Sequence, residues 1–126
     1  MKSKKIILVC ALILLFAGGV MTYAWYPQYR GEQLVRNELI DPDSAVFMDV
    51  KYVRETKGLC GQVNGKNSTG GYVGFHDFYV DADGKVVFEP LRDAVSRLMV
   101  SRLESMQRQL EYLKGRVKVC PDEVGK

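Results

Sequence analysis

The pattern of apolar and polar positions divides the chain into one unbroken apolar run and a long stretch of shorter alternations. Residues 6–26 carry no charge and follow Lys2, Lys4 and Lys5. About 20 apolar residues suffice to cross a hydrocarbon core as a helix. Lysines ahead of such a span stay cytoplasmic, which sends the rest of the chain outward. Tyr23, Trp25, Tyr26 and Tyr29 stand where an interfacial aromatic belt belongs. Pro27 is expected to end the span. The competing reading is a cleaved signal peptide, with residues 6–17 as its apolar core and Thr22-Tyr23-Ala24 or Ala17-Gly18-Gly19 as the cleavage site. The length of the run favours an uncleaved anchor over residues 1–26. Residues 27–126 are then one exported domain of a single-pass inner-membrane protein, on the periplasmic side. On the competing reading the same domain is released into the periplasm.

Within that domain the periods change. Leu34, Val35, Leu39 and Ile40 lie among Glu32, Arg36 and Glu38, which predicts a short amphipathic helix over 27–40. Asp41-Pro42-Asp43-Ser44 stops it, since proline disfavours a helical residue before it. Val46, Met48, Val50 and Tyr52 alternate with Asp49 and Lys51, a half-buried strand. Leu59, Gly61 and Val63 alternate with Cys60, Gln62 and Asn64 in a second strand. Residues 64–71 form a polar, glycine-rich loop. A third strand is expected over 72–80, with a bulge near His76-Asp77 that places Val73 and Phe75 on the face of Phe78 and Val80. Asp81-Ala82-Asp83-Gly84 is a hairpin turn, and Val86-Val87-Phe88 the fourth strand.

Pro90 suits a first helical turn. Beyond it Leu91, Ala94, Val95, Leu98, Met99, Leu103, Met106, Leu110 and Leu113 recur at helical spacing, a helix of about 24 residues ending at Gly115. This stripe is expected to face the core, with the first half of the helix covering the sheet. Met99, Leu103, Met106, Leu110 and Leu113 also repeat like a short coiled-coil seam, which would leave the second half overhanging. Residues 117–120 read as an extended tail. The expected fold class is α+β: an N-terminal transmembrane or signal helix, then a small four-stranded antiparallel meander packed by a short N-terminal and a long C-terminal helix.

Charge adds an exclusion. Lys2, Lys4 and Lys5 account for the whole net charge of +3, and the remaining chain is neutral. A nucleic-acid interface needs a clustered basic surface, so none is expected.

The candidate chemistry reduces to a few residues. Cys60 and Cys120 are the cysteines of the exported part, and an oxidising compartment predicts that they pair. Cys10 lies in the apolar run. Neighbouring strand residues point to opposite faces, so His76 and Asp77 are poorly placed as a catalytic dyad. A lone histidine builds no metal site, and no cofactor is expected. Asp81, Asp83 and Gly84 echo a calcium loop, but Tyr79 and Pro90 would then occupy positions that need carboxylates. The loop lacks the following helix of a phosphate-binding loop, which excludes a nucleotide. What remains is Asn64, Lys66, Asn67 and Ser68, as partner contacts or as residues that hydrogen-bond the loop itself.

Two segments carry a resemblance: Leu39-Ile40-Asp41-Pro42-Asp43-Ser44-Ala45-Val46-Phe47, and Cys60-Gly61-Gln62-Val63-Asn64-Gly65-Lys66-Asn67-Ser68-Thr69-Gly70-Gly71-Tyr72-Val73-Gly74-Phe75. Together they resemble small exported or membrane-anchored bacterial proteins of unknown function, whose pattern reads DP-S-A-x-F … C-G-x-V-N-x-K-N-S-x-G-G-Y-x-G-F. Gly65 stands where that pattern usually has alanine. The resemblance implies a bacterial envelope protein with a small α+β domain, and it implies no reaction or ligand. The expected function is a non-catalytic binding module held at the inner membrane through residues 6–26, with an envelope protein as partner. The alternatives are a structural or inhibitor-type envelope protein, and a small hydrolase-like enzyme using His76 and Asp77.

Overall fold

The computed structural model describes the backbone of residues 2–90 and 99–121. Its elements are α1 (Lys2–Asn37), a 3-10 turn (Pro42–Ser44), β1 (Val46–Val53), β2 (Gly58–Asn64), β3 (His76–Val80), β4 (Val86–Phe88) and α2 (Met99–Val119). The four strands form one antiparallel sheet in the order β1-β2-β3-β4, the expected meander.

The apolar run and the amphipathic stretch form one helix. Pro27 lies inside α1 and does not end it. A proline removes one helical hydrogen bond, and the flanking turns carry the helix past it. The first part of α1 has the length and composition of a membrane-crossing helix, and a signal sequence has the same. Its Ile, Leu, Val and Phe side chains are exposed throughout. The last turns of α1 are different: Val35 is fully buried against Leu59, Val63, Phe78 and Val80. Arg36 fastens this end. Its guanidinium donates to the carbonyls of Pro42 and Ala45 and stacks 5.0 Å over the ring of Phe47.

The strand parity of β1 differs from the sequence expectation. Met48 pairs with Gln62 and Lys51 with Cys60, so Asp49 and Val50 together oppose Gly61. This is a β-bulge, with Asp49 at φ 52°. The bulge switches the faces. Phe47, Val50 and Tyr52 join the core on the α1 side, while Val46 and Met48 are left exposed. Phe47 meets Phe78 edge to face at 6.0 Å. The third strand is also shorter than expected. It begins at His76, so no bulge aligns Val73 and Phe75 with Phe78, and both lie exposed in the preceding loop. The turn at Asp81 is as expected, with the Asp81 carboxylate accepting from the amides of Asp83 and Lys85.

The second face of the sheet carries Val53, Cys60 and Tyr79, covered by Tyr112, Val119 and Cys120 of the chain's last helix and its end. The sheet is thus a middle layer between α1 and α2. The C-terminal half of α2, expected to overhang, packs on the sheet. Gly115 is not the helix stop, because α2 continues to Val119 and absorbs the predicted extended tail. The glycine is a notch: a Cβ there would lie 2.7 Å from Tyr79 Cζ. The predicted helix start, including Leu91, Ala94, Val95 and Leu98, lies outside the described residues.

Candidate functional site

Cys60 and Cys120 lie at bonding distance, with sulfurs 2.01 Å apart and a sequence separation of 60. Both are fully buried. The bridge ties the end of α2 to the middle of β2. Around it, Asp77 accepts from the Gln62 amide at 2.7 Å and pairs with the Arg116 guanidinium. Thr56 donates to the carbonyl of Val119. Tyr79 and Tyr112 pack ring to ring at 5.5 Å. Burial pushes the phenol of Tyr112 well above its ordinary range, opposed by Arg116 and reinforced by Asp77 and Glu89. Burial also raises Tyr79, with Asp81 adding to the shift. This cluster clamps α2 onto the sheet.

His76 lies on the other side. Strand alternation sends it to the α1 face, opposite Val63 across the ladder, while Asp77 and Cys60 point to the α2 face. The structure therefore does not bring His76, Asp77 and Cys60 together, and the Cys60 sulfur is bonded. Among the described residues no three His, Cys, Asp or Glu side chains are placed to hold a metal ion.

What His76 does line is a cleft of about 450 Å³ between the turn that follows α1, the ends of β2 and β4, the start of β3 and the glycine-rich loop. Its walls are largely apolar: Leu39, Ile40, Val63, Gly65, Val73 and Phe88. Glu38, Lys66, Asn67, His76 and Glu89 supply the polar positions. That size and lining match sites that receive apolar groups. The apolar surface continues outward onto exposed Ile40, Tyr72, Val73 and Phe75.

The loop builds one wall of the cleft. Asn67 Oδ1 accepts from the amides of Thr69 and Gly71 and from the Thr69 hydroxyl. Backbone bonds from Asn67 to Gly71 and from Val73 to Gly65 close the loop as a narrow hairpin tip. Asn64 Oδ1 accepts from the amide of Gly74, which sits at φ 100°, a backbone region that suits glycine. Of the four loop candidates, Asn64 and Asn67 thus shape the loop. Lys66 and Asn67 also line the cleft, Lys66 holding its ammonium 5.4 Å over the Tyr72 ring, and Ser68 is exposed on the tip. The two segments of the sequence pattern meet here. Ser44 is buried, donates to the carbonyl of Asp41 and accepts from the amide of Lys66 at 2.9 Å.

Sequence reasoning singled out the loop and missed the cleft. Leu39, Val63 and Phe88 were visible as apolar positions in three separate elements, and Val73 was assigned to a strand. Only the short third strand frees Val73 to form a wall. In comparisons with known proteins, no family model, no curated sequence and no solved structure matches this chain.

Proposed function

We propose that this chain is a single-pass inner-membrane protein whose periplasmic domain is a binding module, and that the cleft beside the loop receives an apolar side chain of an envelope protein. The carrying observation is the apolar lining of the cleft, continued by exposed Ile40, Tyr72, Val73 and Phe75. A surface that extends beyond a closed pocket suits a protein partner, because exposed apolar patches rimmed by polar groups mark such contacts. The apolar first part of α1 and the paired cysteines support export and anchoring. The resemblance to exported and membrane-anchored bacterial proteins points the same way.

The test is capture from envelope extract by the full-length chain. Ile40→Asp and Val73→Asp change exposed side chains at the cleft mouth, so the fold should survive. Each should weaken capture about tenfold by placing a charge in an apolar contact. Asp83→Ala, at the opposite end of β3, should leave it unchanged. Capture that ignores both cleft substitutions would refute the reading.

A further inference from the structure

Where α1 leaves its apolar run it lies directly on the sheet. Gly31 permits the approach: a Cβ there would lie 2.6 Å from Leu59 Cδ2. Leu34 of α1 meets Gly84, and the turn after α1 sets Leu39 against Gly65. The sheet therefore stands with the turns at 54–57 and 81–84 toward the apolar run and the glycine-rich loop away from it. A pocket of about 390 Å³ opens at the near end, between α1 and these two turns. Tyr26, Pro27 and Arg30 line it from α1, Lys57 from one turn, and Asp81 and Asp83 from the other. Among the described residues Arg30, Lys57 and Asp83 have no side-chain hydrogen bond or ion pair, and Asp81 uses only Oδ1, for its own turn. Two cations and two carboxylates thus share one pocket without pairing. Lys57 also sits at φ 54°, a left-handed backbone that favours glycine or asparagine.

Depth follows from the same helix. Residues 6–26 rise about 31 Å at 1.5 Å per residue, the thickness of a hydrocarbon core. The polar layer beyond that core is about 5–7 Å deep on each side. Arg30 stands about 6 Å past Tyr26 along the helix. Because α1 passes Pro27 without a break, the pocket is held in that layer. We propose that it takes the headgroup of a phospholipid carrying a phosphate and a primary ammonium together, as phosphatidylethanolamine does. Arg30 and Lys57 donate to the phosphate, while Asp83 and the second oxygen of Asp81 accept from the ammonium. Charge decides the class. A purely anionic headgroup would meet two carboxylates, and a quaternary ammonium has no N–H to donate. The depth rests on the anchor reading of residues 6–26; the charge pattern of the pocket does not.

The test is native mass spectrometry of the full-length chain in nanodiscs of equal parts phosphatidylethanolamine, phosphatidylglycerol and phosphatidylcholine. One phosphatidylethanolamine should stay bound, about tenfold in excess of either other lipid. Arg30→Gln with Lys57→Gln should reduce that adduct about tenfold by removing both phosphate donors. Asp83→Asn should leave a lipid bound but abolish the preference over phosphatidylglycerol, a change of selectivity that lost packing would not give. Arg54→Gln, a cation of the same turn outside the pocket, should change nothing. All four side chains are exposed, so these substitutions leave the fold intact. Equal retention of the three lipids, an excess of phosphatidylglycerol on the native chain, or indifference to the double substitution would overturn the proposal. Soluble phosphoethanolamine held equally well in nanodiscs of phosphatidylcholine alone would overturn the lipid as its source. The intact mass in the same spectra separates the anchor from the site. A chain shortened by its leader would overturn both, whereas a full-length chain that selects no lipid would overturn the site alone.

Discussion

Removing the bridge between Cys60 and Cys120 isolates what holds α2 on the sheet. The bridge closes 60 residues of chain, which in the chain-entropy picture stabilises the fold by about 4 kcal/mol. Domains of this size have a total stability of about 5–15 kcal/mol, so the loss is a large fraction. At about 4–8 °C per kcal/mol, the melting temperature should fall by about 15–30 °C. The loss should also be uneven. The α1 side of the sheet has its own core around Val35, Leu59, Val63 and Phe78. Without the bridge α2 retains the Tyr79–Tyr112 contact, the Asp77–Arg116 pair and the Thr56 bond to Val119. The assay is urea unfolding of the full-length chain in micelles, for the native chain and the Cys60→Ala/Cys120→Ala double variant. The urea slope should rise in the variant, because an unbridged unfolded chain exposes more surface. Hydrogen exchange should show α2 amides losing protection before those of β2 and β3. A stability change below about 1 kcal/mol would refute the reasoning, against the expected chain-entropy value. So would equal loss of protection in α2 and the central strands.

Other expectations follow from the same contacts. Tyr112 and Tyr79 have phenols raised above the ordinary 10.0. Stability should therefore hold through neutral pH and fall above about pH 10, as the unfolded chain loses those protons first, by up to about 1.4 kcal/mol per pH unit for each tyrosine. Tyr112→Phe should remove its share of that alkaline slope in denaturation curves. Asp77→Ala should cost about 2 kcal/mol by leaving Arg116 and Gln62 without their carboxylate, and a double-mutant cycle with Arg116→Ala should recover the coupling. Gly115→Ala should cost about 1–3 kcal/mol in urea unfolding by displacing Tyr79. Asn67→Ala should raise the exchange rate of the Gly71 amide while changing global stability by no more than about 1–2 kcal/mol.

The α+β class, the meander and the cysteine pair were legible because each rests on a local or compositional signal. Alternation marks strands, Asp-Gly marks the hairpin turn, and two cysteines outside the apolar run leave one pairing. What was not legible depended on contacts distant in sequence. The bulge at Asp49 moved Phe47 into the core, and nothing in residues 46–53 shows that Gly61 stands opposite two residues. Gly115 read as a helix stop because a glycine near the end of a helix commonly is one. Its role as a notch for Tyr79 needs the sheet in place. The apolar stripe of α2 was read as core-facing from its period alone. A period shows that a face is apolar, and the bridge at Cys120 and the Asp77–Arg116 pair decide which face turns inward. The cleft was hidden for the same reason: its walls come from the turn after α1, from β2, β3 and β4 and from the loop, joined by the bond between Ser44 and Lys66.

The most direct test of the binding reading places a photo-activated cross-linking residue at Val73 in the full-length chain in its membrane. Irradiation should give a discrete adduct with one envelope protein. The same residue at Asp83, at the opposite end of the sheet, should give none. No adduct from Val73, or the same adduct from both positions, would contradict a binding cleft beside the loop.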